Sequence, residues 1–424
     1  MRKVYLATTM MIAAGTAAGR AAAADALKLG ISGFYRGAIG VLAGGDSFTR
    51  TMDGHFHSGL GNALRRSSAF QQEIRINFTG ETTLDNGLTI GVLVGLNGEN
   101  LLPVGDTTTP QKQSYADFMG KFGDIRFGEA NSALRTDCVI DPGNVTANFG
   151  VNTPNESFSN AGNGTKISGG AILATPNRVG VTWFGSIGTC HGIESRGTKI
   201  AYFSPSIGGF TFGLSFAPSG DTRNPGGGYF YGTDLKNIKA ANVLAAATNF
   251  IGDIGGIKVT AGGGGEWAFD SYDDQGNANP YSPAWYQTGF QLGFSNGIAV
   301  GASAAYMANY NVSRYKATDG GTVSPGLPGD DGWLAALGAS YVIDAWGFGL
   351  QGIYSSWQVW NDTGHDNIWG LSLNFRYLLG PGIQLEGQVA YSNYDANDVM
   401  PVGTKGQPLD YHAVEFDGGF AINF

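Results

Sequence analysis

Arg36 lies in one alternating stretch of the chain, and Glu73 and Arg75 lie two residues apart in the next. All three fall on the polar parity, beside small or hydrogen-bonding neighbours such as Ser32, Gln71, Asn77 and Thr79. Guanidinium and carboxylate groups spaced by two residues project from one surface of a sheet. There they act on ions and dipolar solutes through the field they set up, without exchanging bonds. Arg126 shares that parity further along. A second set of charges, with Glu129 at its threshold, sits in one long segment from about 130 to 197: Arg135, Asp137, Asp141 and Glu156. Facing rows of this kind across a water-filled space are expected to line its narrowest point.

Other chemistries find little support. Residues 1–24 read as a secretory signal peptide. Arg2 and Lys3 form a positive start, Val4 to Ala18 an apolar stretch, and Ala22-Ala23-Ala24 a small-residue cleavage site. Its removal takes away Arg2, Lys3 and Arg20 and moves the formal charge from -9 to -12. An exported acidic chain lacks the basic face that nucleic acid requires. Cys138 and Cys190 are the two cysteines, both in the long segment. In an oxidising compartment such a pair is expected to form a disulfide, closing a loop of about fifty residues, with two free thiols as the alternative. His55 and His57 have no accompanying cysteine. Asp270, Asp273, Asp274 and Asn277 miss the EF-hand spacing, so no metal site is expected. No catalytic or cofactor motif appears either, neither Gly-x-Ser-x-Gly, nor His-Glu-x-x-His, nor a strand-to-helix glycine fingerprint.

The elements that must hold these charges are strands. Leu27, Leu29, Ile31, Gly33, Tyr35, Gly37, Ile39 and Val41 share one parity, with Lys28, Ser32 and Arg36 on the other. Phe70, Gln72, Ile74, Ile76 and Phe78 repeat the pattern, as do Trp369, Leu371, Leu373, Phe375 and Tyr377 near the end. Strict alternation over such lengths describes a sheet with one apolar and one polar face. Tight links at Asp85-Asn86-Gly87, Gly120–Gly123, Ser204–Gly208, Gly252–Gly256, Ser295-Asn296-Gly297, Asp344–Trp346 and Gly380-Pro381-Gly382 take turns with long polar loops. Asn-Gly and Gly-rich links supply the positive φ that hairpins need. Counting segments around these links gives sixteen.

Composition bounds the rest. Charged residues make up 14% of the chain, aromatics 12%, and glycine 69 of 424 positions. Disordered chains are rich in charge and poor in aromatics, and collagen needs a glycine triplet. Outside the N-terminus no apolar run reaches the length of a spanning helix. A soluble sandwich or propeller would show Lys and Glu on its polar face, where this chain has Gly, Ser, Thr, Gln and Asn. Seven of the eight tryptophans (267, 285, 333, 346, 357, 360 and 369) fall near predicted strand ends, as in the girdles of membrane barrels. The expected fold is therefore all-β, a 16-stranded antiparallel transmembrane β-barrel over residues 25–424. A segment as long as 130–197 exceeds ordinary loops, and its placement inside the barrel as a constriction loop is expected. Val179–Phe184 within it is either local structure or a further wall strand.

The order of several short motifs resembles the Gram-negative general diffusion porins of the alphaproteobacterial type. They are Thr83-Leu84-Asp85-Asn86-Gly87-Leu88, Gly120-Lys121-Phe122-Gly123-Asp124, Phe127-Gly128-Glu129, Ser204-Pro205-Ser206-Ile207-Gly208-Gly209-Phe210, and a terminal strand Phe416, Gly418, Phe420, Ile422, Phe424. The Pro-Glu-Phe-Gly third-loop element of enterobacterial members is missing. The resemblance implies a homotrimer in the outer membrane, in contact with its lipid and lipopolysaccharide, whose third loop folds inward and narrows the channel. A terminal Phe424 resembles the recognition signal of the outer-membrane insertion machinery. The expected function is passive diffusion of small hydrophilic solutes and ions, with weak cation preference from the acidic excess. A substrate-specific channel guided by residues such as Tyr115, Trp183 and Tyr411 is one alternative, and a barrel enzyme another.

Overall fold

A strand whose side chains alternate between two faces can give one face to water inside a tube and the other to hydrocarbon outside it. The computed structural model describes residues 25–44, 68–97, 111–137, 141–147, 149, 165–168, 171–174, 197–219, 240–271, 282–309, 331–358, 365–396 and 409–424. In chain order these form β1 (Lys28–Gly44), β2 (Ser68–Thr83), β3 (Thr89–Asn97), β4 (Gln111–Gly120), β5 (Gly123–Glu129), the single-turn helix α1 (Ala133–Thr136), β6 (Thr165–Ser168) and β7 (Ala171–Ala174). They continue with β8 (Lys199–Phe203), β9 (Phe210–Ser219), β10 (Ala240–Ile254), β11 (Ile257–Ser271), β12 (Ala284–Gly293) and β13 (Ile298–Ala308). The chain ends with β14 (Gly332–Ile343), β15 (Trp346–Gln358), β16 (His365–Gly380), β17 (Ile383–Ala396) and β18 (Leu409–Asn423).

All of these strands except β6 and β7 close one antiparallel barrel of sixteen, each paired with its neighbours in sequence. Closure pairs β1 with β18, from Phe34 opposite Asn423 to Gly44 opposite Ala413. Gly33 N donates to Phe424 O (2.8 Å) and Phe424 N returns a bond to Gly33 O (3.0 Å). No strand of the barrel is left with an open edge, which is the condition for crossing hydrocarbon. β5 pairs directly with β8, from Asp124 opposite Phe203 to Gly128 opposite Lys199. Everything between them is an excursion from a continuous wall, and β6 and β7 form a separate hairpin within it. The wall needs no strand from Val179–Phe184, a stretch that itself lies outside the described residues.

Exposure is inverted relative to a water-soluble protein. Outward Ile31, Leu214 and Leu373 are 68%, 50% and 61% exposed, while inward Ser215, Asn374 and Gln388 are buried. Burying an apolar side chain is worth roughly 1.5–3 kcal/mol, so rows of outward Leu, Ile and Phe make sense against lipid and not against water. Aromatic pairs punctuate the outer face: Trp267 Nε1 donates to the Tyr286 hydroxyl (3.0 Å), and Trp333–Tyr354, Trp346–Tyr377 and Trp369–Tyr391 pack ring to ring. Trp285 departs from the expected girdle. It occupies the inward parity of β12, is buried, and donates to Gln287 Oε1 (3.1 Å).

The tight links stand at one end of the barrel and the long connections at the other. Gly87 (φ 81°) and Gly382 (φ 74°) adopt backbone angles that side-chain-bearing residues avoid. The link expected at Gly252–Gly256 is shorter than the sequence suggests: β10 runs to Ile254 and the turn is Gly255-Gly256. Gly252 stays in the strand beneath the Phe250 ring, where a Cβ would meet Cζ at 2.6 Å. Several expectations lie outside the described residues: the signal peptide 1–24, His55 and His57, Asp273, Asp274 and Asn277, Cys138 and Cys190, and Glu156. Asp270 is described, and its Oδ2 accepts from Asn242 Nδ2 (2.5 Å).

Candidate functional site

Gly128 (φ 133°) ends the regular course of β5, and Ala130 N bonds back to Gly128 O (3.0 Å), bending the chain off the wall. Ser132 then caps α1, its Oγ accepting from Arg135 N (3.2 Å) while donating to Glu266 Oε1 on β11. The helix is sewn to the inner wall. Ala133 N donates to Ser215 Oγ (2.9 Å) on β9, Asn249 Nδ2 on β10 donates to Asp137 Oδ1 (3.1 Å), and Gln287 Nε2 on β12 donates to Leu134 O (3.3 Å). The wall makes room with small residues. Ala201, Ala245 and Ala247 are buried on it, and a Cβ on Gly213 would stand 3.0 Å from Ala133 Cβ.

Residues 141–149 continue along the next strands. Gln351 Nε2 on β15 donates to Asp141 Oδ1 (2.7 Å) and Pro142 O (2.9 Å). Val145 N donates to Asn374 Oδ1 (3.0 Å) on β16, and Ala147 N donates to Glu386 Oε1 (2.7 Å) on β17. Phe149 reaches β18, where its ring end would stand 3.2 Å from a Cβ on Gly419. The segment also folds on itself, with Asn144 Nδ2 bonded to Asp141 Oδ2 (2.7 Å) and Phe149 N to Thr146 Oγ1 (3.1 Å). At its neck the buried Lys199, first residue of β8, donates from Nζ to Ala130 O and to Gly197 O (2.7 Å). One ammonium thus joins the chain where it leaves the wall to the chain where it returns.

The strand charges form two groups on the inner face. Arg36 Nη1 stands 3.5 Å from Glu73 Oε2, and Arg75 Nη2 stands 3.6 Å from Glu73 Oε1. Both guanidiniums lie over the Phe34 ring, at 4.0 and 5.1 Å from its centroid. Glu73 is buried between them. Arg376 on β16 faces Glu386 across the ladder to β17. The second group centres on Arg126, whose Nε is 2.8 Å from Asp124 Oδ2 and whose guanidinium lies over Tyr115 (5.3 Å) and Phe203 (4.7 Å).

Arg36, Glu73 and Arg75 are thus brought together as expected from their parity, and Arg126 stands apart with Asp124. Arg135 lies in the last turn of α1 and Glu129 closes β5 opposite Ser114. Asp137 and Asp141 turn toward the wall, where amide side chains hold them. Burial pushes each of these two carboxyls up to about 6, opposed at Asp137 by the Arg126 charge and at Asp141 by bonds from Asn144 and Gln351. Lys199, Glu266 and Arg376 were not singled out from the sequence. Their signal was inward parity alone, which they share with many residues.

A carboxyl raised in the docked state binds its proton more tightly there than when released. Docking is therefore fully supported below the ordinary aspartate value near 4 and loses support as pH rises through about 6. The expected result is that acidification from pH 7 to 5 steadies the segment and shifts zero-current potentials toward anions. The double variant Asp137→Asn, Asp141→Asn should flatten both trends in bilayer recordings.

The comparisons with known proteins agree with this architecture. No curated protein matches the sequence. The barrel is similar to the anion-selective porin from Comamonas acidovorans, at 13% identity and TM-score 0.57, covering 94% of this chain and 100% of that one. It is similar also to the outer membrane channel DcaP of Acinetobacter baumannii (14%, TM-score 0.55, covering 94% and 97%). A third similar structure is OmpT, an outer membrane protein of Vibrio cholerae in trimer form (11%, TM-score 0.54, covering 94% and 100%). At such identities these neighbours speak to the fold alone. The family profile of Gram-negative porins matches residues 7–397. With a sixteen-stranded barrel, apolar outside and lined with charges and amides within, the chain belongs to the Gram-negative porins and is a diffusion channel of the outer membrane.

Proposed function

We propose that the channel is a general one, passing small hydrophilic solutes and ions down their gradients without catalysis. The observation that carries this reading is the inward segment, hydrogen-bonded to β9, β10, β12, β15, β16 and β17 while charged side chains line β1, β2 and β16. A wet, charge-lined passage narrowed by a fixed segment sorts solutes by size and biases ions by charge. Weak cation preference at neutral pH follows from the acidic excess, with Asp137 and Asp141 ionised above about pH 6. Arg36, Glu73, Arg75, Arg126, Glu129, Arg135 and Glu156 complete the proposed constriction.

The functional unit is proposed as a homotrimer in lipid and lipopolysaccharide, delivered through the insertion machinery by its Phe424 end after removal of residues 1–24. A Cys138–Cys190 disulfide is proposed to hold the shape of the segment. The test is planar-bilayer conductance of the purified, unboiled oligomer. Currents linear in voltage and salt, in steps of three, support the proposal. Absent conductance overturns it. Saturation or block by one solute favours the substrate-specific reading, for which the Tyr115–Arg126–Phe203 stack is the supporting feature.

A further inference from the structure

Three inward glycines on neighbouring strands lie beneath Pro142 and Gly143: Gly301 on β13, Gly338 on β14 and Gly349 on β15. Gly301 faces Gly338 across one ladder, and Gly338 faces Gln351 across the next. The approach is backbone to backbone. A Cβ on Gly338 would overlap the Pro142 carbonyl, and one on Gly349 would overlap the Gly143 carbonyl. A Cβ on Gly301 would stand 3.2 Å from Pro142 Cβ. From the other side, Gly143 has φ 75°, and a Cβ there would lie 2.7 Å from Ala339 N and 2.9 Å from Gly338 Cα. No side-chain rotation relieves such contacts. Only a shift of the whole segment away from the wall does.

Gln351 fastens the segment in this slot. Its Nε2 holds Asp141 and the Pro142 carbonyl, and its Oε1 accepts from Asn374 Nδ2 (3.4 Å), the neighbour that also receives Val145 N. Not every inward glycine is so placed: on β12, a Cβ at Gly293 would find its nearest neighbour, Lys258 Cβ, at an ordinary 3.5 Å.

We propose that Gly338 and Gly349 set the aperture of the channel. They are positioning residues: they touch no solute, but the depth of the slot fixes how far the segment stands from the wall and how much of the lumen stays open. The inference rests on the channel reading above. Restoring ordinary van der Waals separation after adding a methyl group requires a displacement of roughly 1.4 Å. At a bottleneck only several ångströms wide, that shift is expected to lower conductance by roughly a third and to exclude larger solutes more than small ones.

The experiment compares Gly338→Ala, Gly349→Ala and the control Gly293→Ala with the wild-type protein, each checked for barrel formation by its heat-dependent gel mobility. Single-channel conductance is measured in bilayers, and monosaccharide against trisaccharide entry in swelling liposomes. The expected result is reduced conductance and a disproportionate loss of trisaccharide entry for the first two variants, with Gly293→Ala like wild type. Folded variants that retain wild-type conductance and size cut-off overturn the proposal, as does an equal effect in Gly293→Ala. Should the glycine variants not fold, Gln351→Ala decides: open-channel noise roughly twofold higher supports the seat, and unchanged noise and conductance overturn it. A wild-type oligomer that fails to conduct refutes the channel reading itself, a result distinguishable from all of these.

Discussion

Replacing Arg36 and Arg75 together by alanine is expected to raise the cation-to-anion permeability ratio by several-fold. A unit charge about 5 Å from a permeating ion in water-like surroundings acts with about 0.8 kcal/mol. One such term changes an ion's occupancy roughly fourfold, and two reinforce each other. The variant also removes from Glu73 the two guanidiniums at 3.5 and 3.6 Å that offset its charge. Glu73→Gln should move selectivity the other way, toward chloride. Zero-current potentials across a salt gradient measure both changes, and both should fade near 1 M salt, where the screening length falls to about 3 Å. Opposite variants with the same sign of shift would refute the assignment of these residues to the ion path.

The second large effect is expected from Lys199→Met. The side chain keeps its length and loses the charge that holds the carbonyls of Ala130 and Gly197. Leaving a buried carbonyl without its donor costs about 1–3 kcal/mol, and two are left here. Here that cost falls on the attachment of the inward segment, because the wall pairs through β5 and β8 independently of the ammonium. The barrel should therefore still form and still shift on heating in gels. Limited proteolysis should cut the folded variant faster than the wild-type protein within residues 130–149, and channel currents should fluctuate between levels. A wild-type cleavage pattern would show that Lys199 does not secure the neck.

The wall of this protein is written in its sequence because two local rules act on every strand. Period-two alternation, as in Trp369 to Tyr377, assigns faces, and Gly-containing links such as Asp85-Asn86-Gly87 mark the returns. Where one rule misleads, the reason is local. Gly252 looks like a turn residue but is a strand glycine covered by Phe250. Trp285 looks like a girdle aromatic, but its parity turns it inward. The lumen was legible in part: Arg36, Glu73 and Arg75 follow from parity, and their mutual contacts follow from the β1–β2 register.

The inward segment was not legible in the same way. No periodicity says which of its residues reach the wall, so the bonds from Asn249 to Asp137 and from Gln351 to Asp141 could not be read from the sequence. Nor does parity distinguish Glu266 and Lys199, which the segment covers, from inward charges that it leaves open. Those distinctions depend on contacts between residues more than sixty positions apart.

A ribbon tacked at many separate points around a tube cannot swing aside like a hinged door. With its holds spread over several strands, loss of any one leaves the others in place, so widening of such a tube is expected in steps rather than in a single swing.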